Sequence, residues 1–274
     1  MGTDRGPRTD RRPGWERRAA LTRRSVLGVG GITLLVGCAA EAGKLISPVQ
    51  AKPAGHIASK TSHPTTGTAG HDTTGLATAG KPVFYLDAGP KAIALTIDDG
   101  PDASYTPQVL RLLARYQVTA MFSMIGIEVG KLPGVARDVA DAGHVIANHT
   151  WQHVNLGVLS PSAAVSEMDQ ATEAIQNATG IAPSRFRAPY GVWSRTVLQR
   201  CAETGMTPID WSVDPRDWAR PGVSSIVRDI MRTTRSGSII LEHDGGGNRS
   251  ETVAALKIVI PRLLDAGYHF VAPG

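Results

Sequence analysis

Asp98 and Asp99 stand side by side at the end of the apolar run Ala92–Ile97, directly before Gly100-Pro101. A buried strand ending in a turn reads this way. Successive side chains on an extended chain point to opposite sides, so the two carboxylates can serve different partners. Taken alone, the pair reads more readily as a solvated Asp-Asp-Gly turn, and only the partners downstream overturn that reading. Downstream lie His149 and His153, four residues apart, which share a face if they sit on one helical turn. Two imidazoles and one carboxylate make a three-point site for a divalent transition metal, with room left for water. Three more polar clusters follow: Arg187-Ala188-Pro189-Tyr190, Asp214-Pro215-Arg216-Asp217-Trp218 and Leu241-Glu242-His243-Asp244.

The elements that must position these residues alternate in type. Strand patterns fall at Ala92–Ile97, Thr119–Ile125, His144–His149, Arg185–Pro189, Thr207–Val213, Ser238–His243 and His269–Val271. Helical patterns fall between them, at Thr106–Tyr116, Pro133–Ala142, Pro161 to about Gly180, Ser194–Thr204, Ser224–Thr233 and Glu251–Ala266, the last kinked near Pro261. Such alternation predicts a parallel sheet joined by helical crossovers, an α/β fold. The polar clusters end strands one, three, four, five and six. A distorted (β/α)7 barrel brings those C-terminal ends to one mouth, whereas an open sheet spreads them along a line.

The first 82 residues have a different texture. Residues 1–38 hold eight Lys/Arg and three Asp/Glu, which accounts for the whole net charge of +5. The rest is balanced, so there is no electrostatic case for nucleic-acid binding. Arg23-Arg24 precede the apolar run Val26–Val36, which is too short to span a bilayer but suits an export signal. Thr22–Leu27 resembles a twin-arginine signal, and Leu35-Val36-Gly37-Cys38 a bacterial lipobox that would leave Cys38 lipid-modified. Residues 39–82 are rich in Ala, Thr, Gly, Ser and Pro and read as a flexible tether; His56, His63 and His71 in it read as solvated. With Cys38 lipidated, Cys201 stands alone in a helical pattern and reads as a buried thiol. The expected organisation is therefore leader 1–38, tether 39–82 and catalytic domain 83–274, exported and held at the cell membrane as a monomer.

Taken together, Thr96–Pro101, His149–His153, Arg187–Tyr190, Asp214–Trp218 and Leu241–His243 resemble, in order, the motifs of the polysaccharide deacetylase family (carbohydrate esterase family four). The one departure in the first motif is Ile97, where the family has Phe. The resemblance implies Asp99, His149 and His153 as ligands of a divalent metal, Zn²⁺ first and Co²⁺ or another transition metal next. It implies Asp98 as general base with Arg187 holding its charge, and His243 as general acid with Asp217 fixing its imidazole. Tyr190 would offer its backbone N–H to the developing oxyanion, and Trp218 and Leu241 would wall the acetyl methyl. Core packing explains those last two equally. Asp214, Arg216, Glu242 and Asp244 read as supporting or rim residues; Trp151, Trp193 and Trp211 are either sugar platforms or core.

The implied activity is acetyl removal from N-acetylated amino sugars of a cell-surface glycan. Peptidoglycan N-acetylglucosamine comes first as substrate, chitooligosaccharide or acetyl-xylan second. From other classes come an iron oxygenase with the same three ligands, which leaves Asp98, Arg187 and His243 idle, and a catalytically silent glycan-binding lipoprotein.

Overall fold

A computed structural model describes residues 80–273. The export signal, Cys38 and residues 39–79 of the tether lie outside the described residues. Seven parallel strands appear: β1 Ala92–Asp98, β2 Met121–Met124, β3 Val145–Asn148, β4 Arg185–Phe186, β5 Thr207–Pro208, β6 Ile239–His243 and β7 His269–Phe270. They pair in the order β5-β4-β3-β2-β1-β6, with β7 on the first residues of β1. The helices are α1 Thr106–Tyr116, α2 Gly126–Lys131, α3 Pro133–Asp141, α4 Pro161–Thr179, α5 Arg195–Thr204, α6 Val223–Thr233 and α7 Ser250–Asp265.

Strand β1 is buried along its whole length, and its alternation assigns each side chain to one of two layers. Ile93, Leu95 and Ile97 join Phe122, Ile146 and Ile240 in the large core beneath the helices. Ala94 joins Met121, Ala147, Ile209 and Ile239 in a small cluster inside the curl of the sheet. Each large side chain in the outer layer contributes roughly 1.5–3 kcal/mol by burial. The inner layer is small because Ala94 and Ala147 leave room, and that room is taken higher up by Arg187 and Asp98, both almost fully buried.

Closure between β5 and β6 is indirect. Ser212 donates to the Ile239 carbonyl (3.0 Å) and Leu241 to that of Val213 (2.9 Å). A strap from Val83 to Leu86 spans the remaining gap. Val83 donates to Pro208 (2.9 Å), Asp210 donates to Val83 (2.8 Å), and Leu86 donates to Gly237 (2.8 Å), the second residue before β6. Val83, Leu86 and Val145 pack against the inner cluster, sealing the end of the curl from which the strands start.

The sequence signals place most elements, with instructive differences. Ser160 caps α4 by accepting from Ala163 N, and Gly180 ends it at φ 77°. Helix α2 was not expected. The fifth strand is only two residues long, its expected remainder running as irregular chain that bridges to β6 at Val213. Pro261 lies inside an unbroken α7. His149–His153 is not a helical turn but a loop with left-handed Thr150 (φ 66°) and His153 (φ 56°). Asn148 shapes it: its Oδ1 accepts from Thr150 N (2.8 Å), and its amide donates to the Met168 carbonyl in α4 (2.6 Å).

Candidate active site

The C-terminal ends of β1, β3 and β6, with the chain following β4 and β5, surround a cavity of about 400 Å³. Asp98 and Asp99 do not diverge as a regular strand would have them. Asp99 lies just past β1 with φ 73°, which swings its carboxylate to the same opening. Asp99 Oδ1 then stands 3.5 Å from His149 Nε2 and 3.4 Å from His153 Nε2, while Asp98 Oδ2 is 3.8 Å from His149 Nε2.

Asp99, His149 and His153 form a candidate metal centre, one donor atom from each lying within 4.8 Å of the others. Asp99 Oδ1 is buried and makes no hydrogen bond. Its separation from the imidazole nitrogens matches the ~3.4 Å that ligand bonds of ~2.1 Å at tetrahedral angles require. His149 Nδ1 sits 2.8 Å from the Arg187 carbonyl, so that nitrogen carries the proton and Nε2 turns its lone pair to the site. Burial lowers the pKa of His153 and keeps that ring a neutral donor. Burial works against ionisation of Asp99. The imidazoles of His149, His243 and His153 that face it outweigh burial and hold the group well below the usual carboxylate range.

Arg187 fixes Asp98. Its Nη1 donates to Asp98 Oδ1 (3.0 Å) and to Thr96 Oγ1 (2.7 Å), and its Nη2 to the Asp210 carbonyl (3.0 Å). Trp211 covers the guanidinium at 5.6 Å and also lines the cavity. Thr96 lies two residues before Asp98 on the same strand face, and its role in holding Arg187 escapes sequence reasoning because the partner is 91 residues away. Across the cavity, Asp217 Oδ1 accepts from His243 Nδ1 (2.7 Å), while its Oδ2 accepts from His243 N (2.9 Å) and Thr252 Oγ1 (2.6 Å). Burial disfavours the His243 cation. The hydrogen bond and charge of Asp217, with Asp99 and Asp98 further off, override burial and raise the pKa to about 9. His243 is therefore protonated at neutral pH.

Tyr190, Trp218 and Leu241 all line the cavity. Leu241 is buried, whereas Trp218 is 50 % and Tyr190 64 % exposed, so both aromatic rings stand at the rim. The Tyr190 backbone turns through φ 60° there, its ring edge-on to His153 at 4.8 Å. Of the remaining tryptophans, Trp193 donates to Asp210 Oδ2 (2.7 Å) and packs on Phe186, and Trp151 packs against Gly126; neither lines the cavity. Asp214 lines the cavity and is exposed, Arg216 is exposed two residues further on, and Glu242 and Asp244 are wholly buried behind the site. Burial, with the charges of neighbouring carboxylates, raises the pKa of Glu242 well above normal. For Asp244 burial likewise leads, and its pKa rises to about 7. Thr106 donates to Asp244 Oδ2, and its Oδ1 lies under Gly100, supporting the turn that carries Asp99. Cys201 is buried, and desolvation pushes its thiol up to about 12, far from nucleophilic.

Comparison with known proteins bears on this arrangement. The family model described as polysaccharide deacetylase matches residues 86–209, a span that holds the Asp98–Asp99, His149–His153 and Arg187–Tyr190 groups. A chitooligosaccharide deacetylase of Bradyrhizobium sp. (strain ANU 289) is 40 % identical over 194 residues, covering 66 % of this chain and 89 % of the relative. The crystal structure of a peptidoglycan N-acetylglucosamine deacetylase superposes with TM-score 0.67 at 33 % identity, covering 69 % of this chain and 89 % of that one. A pseudoenzyme of carbohydrate esterase family four from Bacillus anthracis superposes with TM-score 0.66 at 28 % identity, covering 70 % and 67 %. Asp217 and His243 lie beyond the matched family segment, and the fold brings them back to the same cavity. This chain belongs to the polysaccharide deacetylase family.

Proposed function

We propose that this protein is a metal-dependent hydrolase that removes acetyl groups from N-acetylated amino sugars of a cell-surface glycan, peptidoglycan N-acetylglucosamine first. The observation that carries the reading is one cavity ringed by the Asp99–His149–His153 cluster, the Asp98–Arg187 pair and the His243–Asp217 pair. A divalent ion held by Asp99, His149 and His153, Zn²⁺ by the nature of the donors, would supply Lewis acidity and a water of lowered pKa. Asp98, ionised against Arg187, accepts a proton from the attacking water. The water oxygen bonds to the acetyl carbonyl carbon, and the Tyr190 N–H faces the oxygen that gains charge. His243 donates its proton to the amide nitrogen as the carbon–nitrogen bond breaks, giving acetate and a free amino sugar. Asp217 keeps the imidazole oriented and charged for that step. Leu241 and the inner part of Trp218 leave an apolar recess for the acetyl methyl.

An acetate-release assay on peptidoglycan, chitooligosaccharides and acetyl-xylan, with and without chelator, tests the reading. We expect acetate from the first two, abolished by chelator and restored by Zn²⁺. Release from none of them, or full activity in chelator, overturns it. Production of acetate without oxygen excludes the oxygenase reading. The pseudoenzyme relative favours a silent glycan-binding lipoprotein as the second reading; against it, Asp98, Asp99, His149, His153 and His243 all line one cavity here.

We further propose export and lipid attachment at Cys38, supported by the Arg23-Arg24 pair, the apolar run and Leu35-Val36-Gly37-Cys38. Cys38→Ser should move the protein from the membrane to the soluble fraction. Continued membrane attachment removes the anchor from the proposal. A site completed by one chain suits a monomer.

A further inference from the structure

The loop from Asp214 to Gly222 carries two arginines that the chemistry above leaves unused. Its frame is tightly held. Asp217 accepts from His243 and Thr252, the Trp218 carbonyl accepts from Arg249 Nη1 (3.2 Å), and Gly222 N donates to Glu251 Oε2 (2.8 Å). Arg216 and Arg220 flank the cavity-lining Trp218 in this frame, and both are exposed. The Arg216 guanidinium has no hydrogen bond or ion pair among the described residues, and Arg220 reaches Glu251 only at 3.8 Å. Both backbones are left-handed, at φ 56° and 54°. That conformation costs an ordinary residue roughly 1–2 kcal/mol, and glycine would adopt it without penalty. Solvation alone gives no reason for arginine at two such positions. Asp214 lines the cavity with opposite charge, but its Oδ1 already accepts from Arg216 N (2.8 Å).

We infer that Arg216 and Arg220 form a carboxylate-reading rim, selecting a glycan that carries carboxylates beside its acetamido groups over a neutral one. The inference rests on the deacetylase reading and sharpens its substrate class. Peptidoglycan bears carboxylates on its peptide stems, and a free lactyl carboxylate on alternate sugars wherever the stem has been removed, whereas a chitooligosaccharide bears none. Guanidinium forks match carboxylates in geometry and charge. Exposed pairs are individually weak and screened by salt, so the preference is moderate and falls as ionic strength rises.

The test compares wild type with an Arg216→Gln/Arg220→Gln double variant on three substrates. These are peptidoglycan strands with peptide stems, strands stripped of stems, and chitooligosaccharides of matching length. The variant should lose about tenfold in kcat/KM on stem-bearing peptidoglycan, through KM, the scale of two weak ion pairs. Chitooligosaccharide turnover should change no more than about twofold. Added salt should raise the peptidoglycan KM of wild type and leave that of the variant unmoved. A difference lost on stripped strands assigns the recognised groups to the stem carboxylates, and one retained there shows that the lactyl carboxylates freed by stripping are read as well. Equal loss on charged and neutral substrates, or loss on neither, overturns the inference. Should wild type release no acetate at all, the deacetylase reading fails. The rim is then decided by cosedimentation with insoluble peptidoglycan at low salt, where undiminished binding of the variant sinks it.

Discussion

A backbone torsion of 73° at Asp99 sets two adjacent carboxylates to work on one opening, and their surroundings then divide the labour. Asp98 is tied to Arg187, which is itself locked by Thr96 and two backbone carbonyls, so it keeps a charge without leaving its place. Asp98→Asn preserves shape but removes the proton acceptor. Turnover should fall by about 10²–10⁴-fold with bound metal unchanged, measured by acetate release alongside metal analysis. Wild-type rates would remove Asp98 from the base role. His243 owes its raised pKa chiefly to Asp217, since burial pulls the other way. Its folded pKa of about 9 exceeds the unfolded value, so its stabilising contribution is complete below pH ~6.5 and lost as pH rises through about 9. As an acid it fails over the same upper range, so activity should decline near pH 9. Asp217→Asn should move that alkaline limb down by at least about one pH unit, and an unmoved limb would separate His243 from it.

At the scale of elements, close approach is the recurring device. Helix α2 carries two glycines in six residues, a composition poor in helix propensity, and its pattern is too short to show periodicity. It forms because Gly126 lets it lie against Trp151 and the Ala171 backbone of α4; an added methyl would stand 2.5 Å from the indole and 2.9 Å from that Cα. Gly126→Ala should therefore destabilise by about 1–3 kcal/mol, read from a denaturant midpoint. Near the site, a methyl on Gly245 would collide with the Asp99 carbonyl. Gly245→Ala should weaken metal binding by shifting the Asp99 turn, and unaltered affinity in a metal titration would count against that coupling. These contacts explain what was legible in the sequence and what was not. Long periodic helices, their Ser160 and Gly180 ends, and the five polar clusters could be read because each signal is local. The left-handed turns at Asp99, Thr150 and His153 could not, nor could the supports from Thr96, Asn148 and Thr252, because each depends on partners far away in the chain.

For the molecule as a whole, the incomplete pairing between β5 and β6 gives Val83–Leu86 a structural role out of proportion to its length. Removing residues 1–79 leaves every contact described here intact, and that truncation should keep full thermal stability and chelator-sensitive activity in the assay above. Removing residues 1–88 deletes the strap, opens the inner cluster to water and should lower the melting temperature by several degrees, the response to a loss of about 1–2 kcal/mol. Equal melting temperatures for the two truncations would show that the curl closes without it. The strap also settles a matter of orientation. It enters at the pole where the strands begin, while the cavity opens at the pole where they end. Substitutions that tighten Val83–Leu86 should therefore raise stability without altering the cavity, since no residue of the strap lines it.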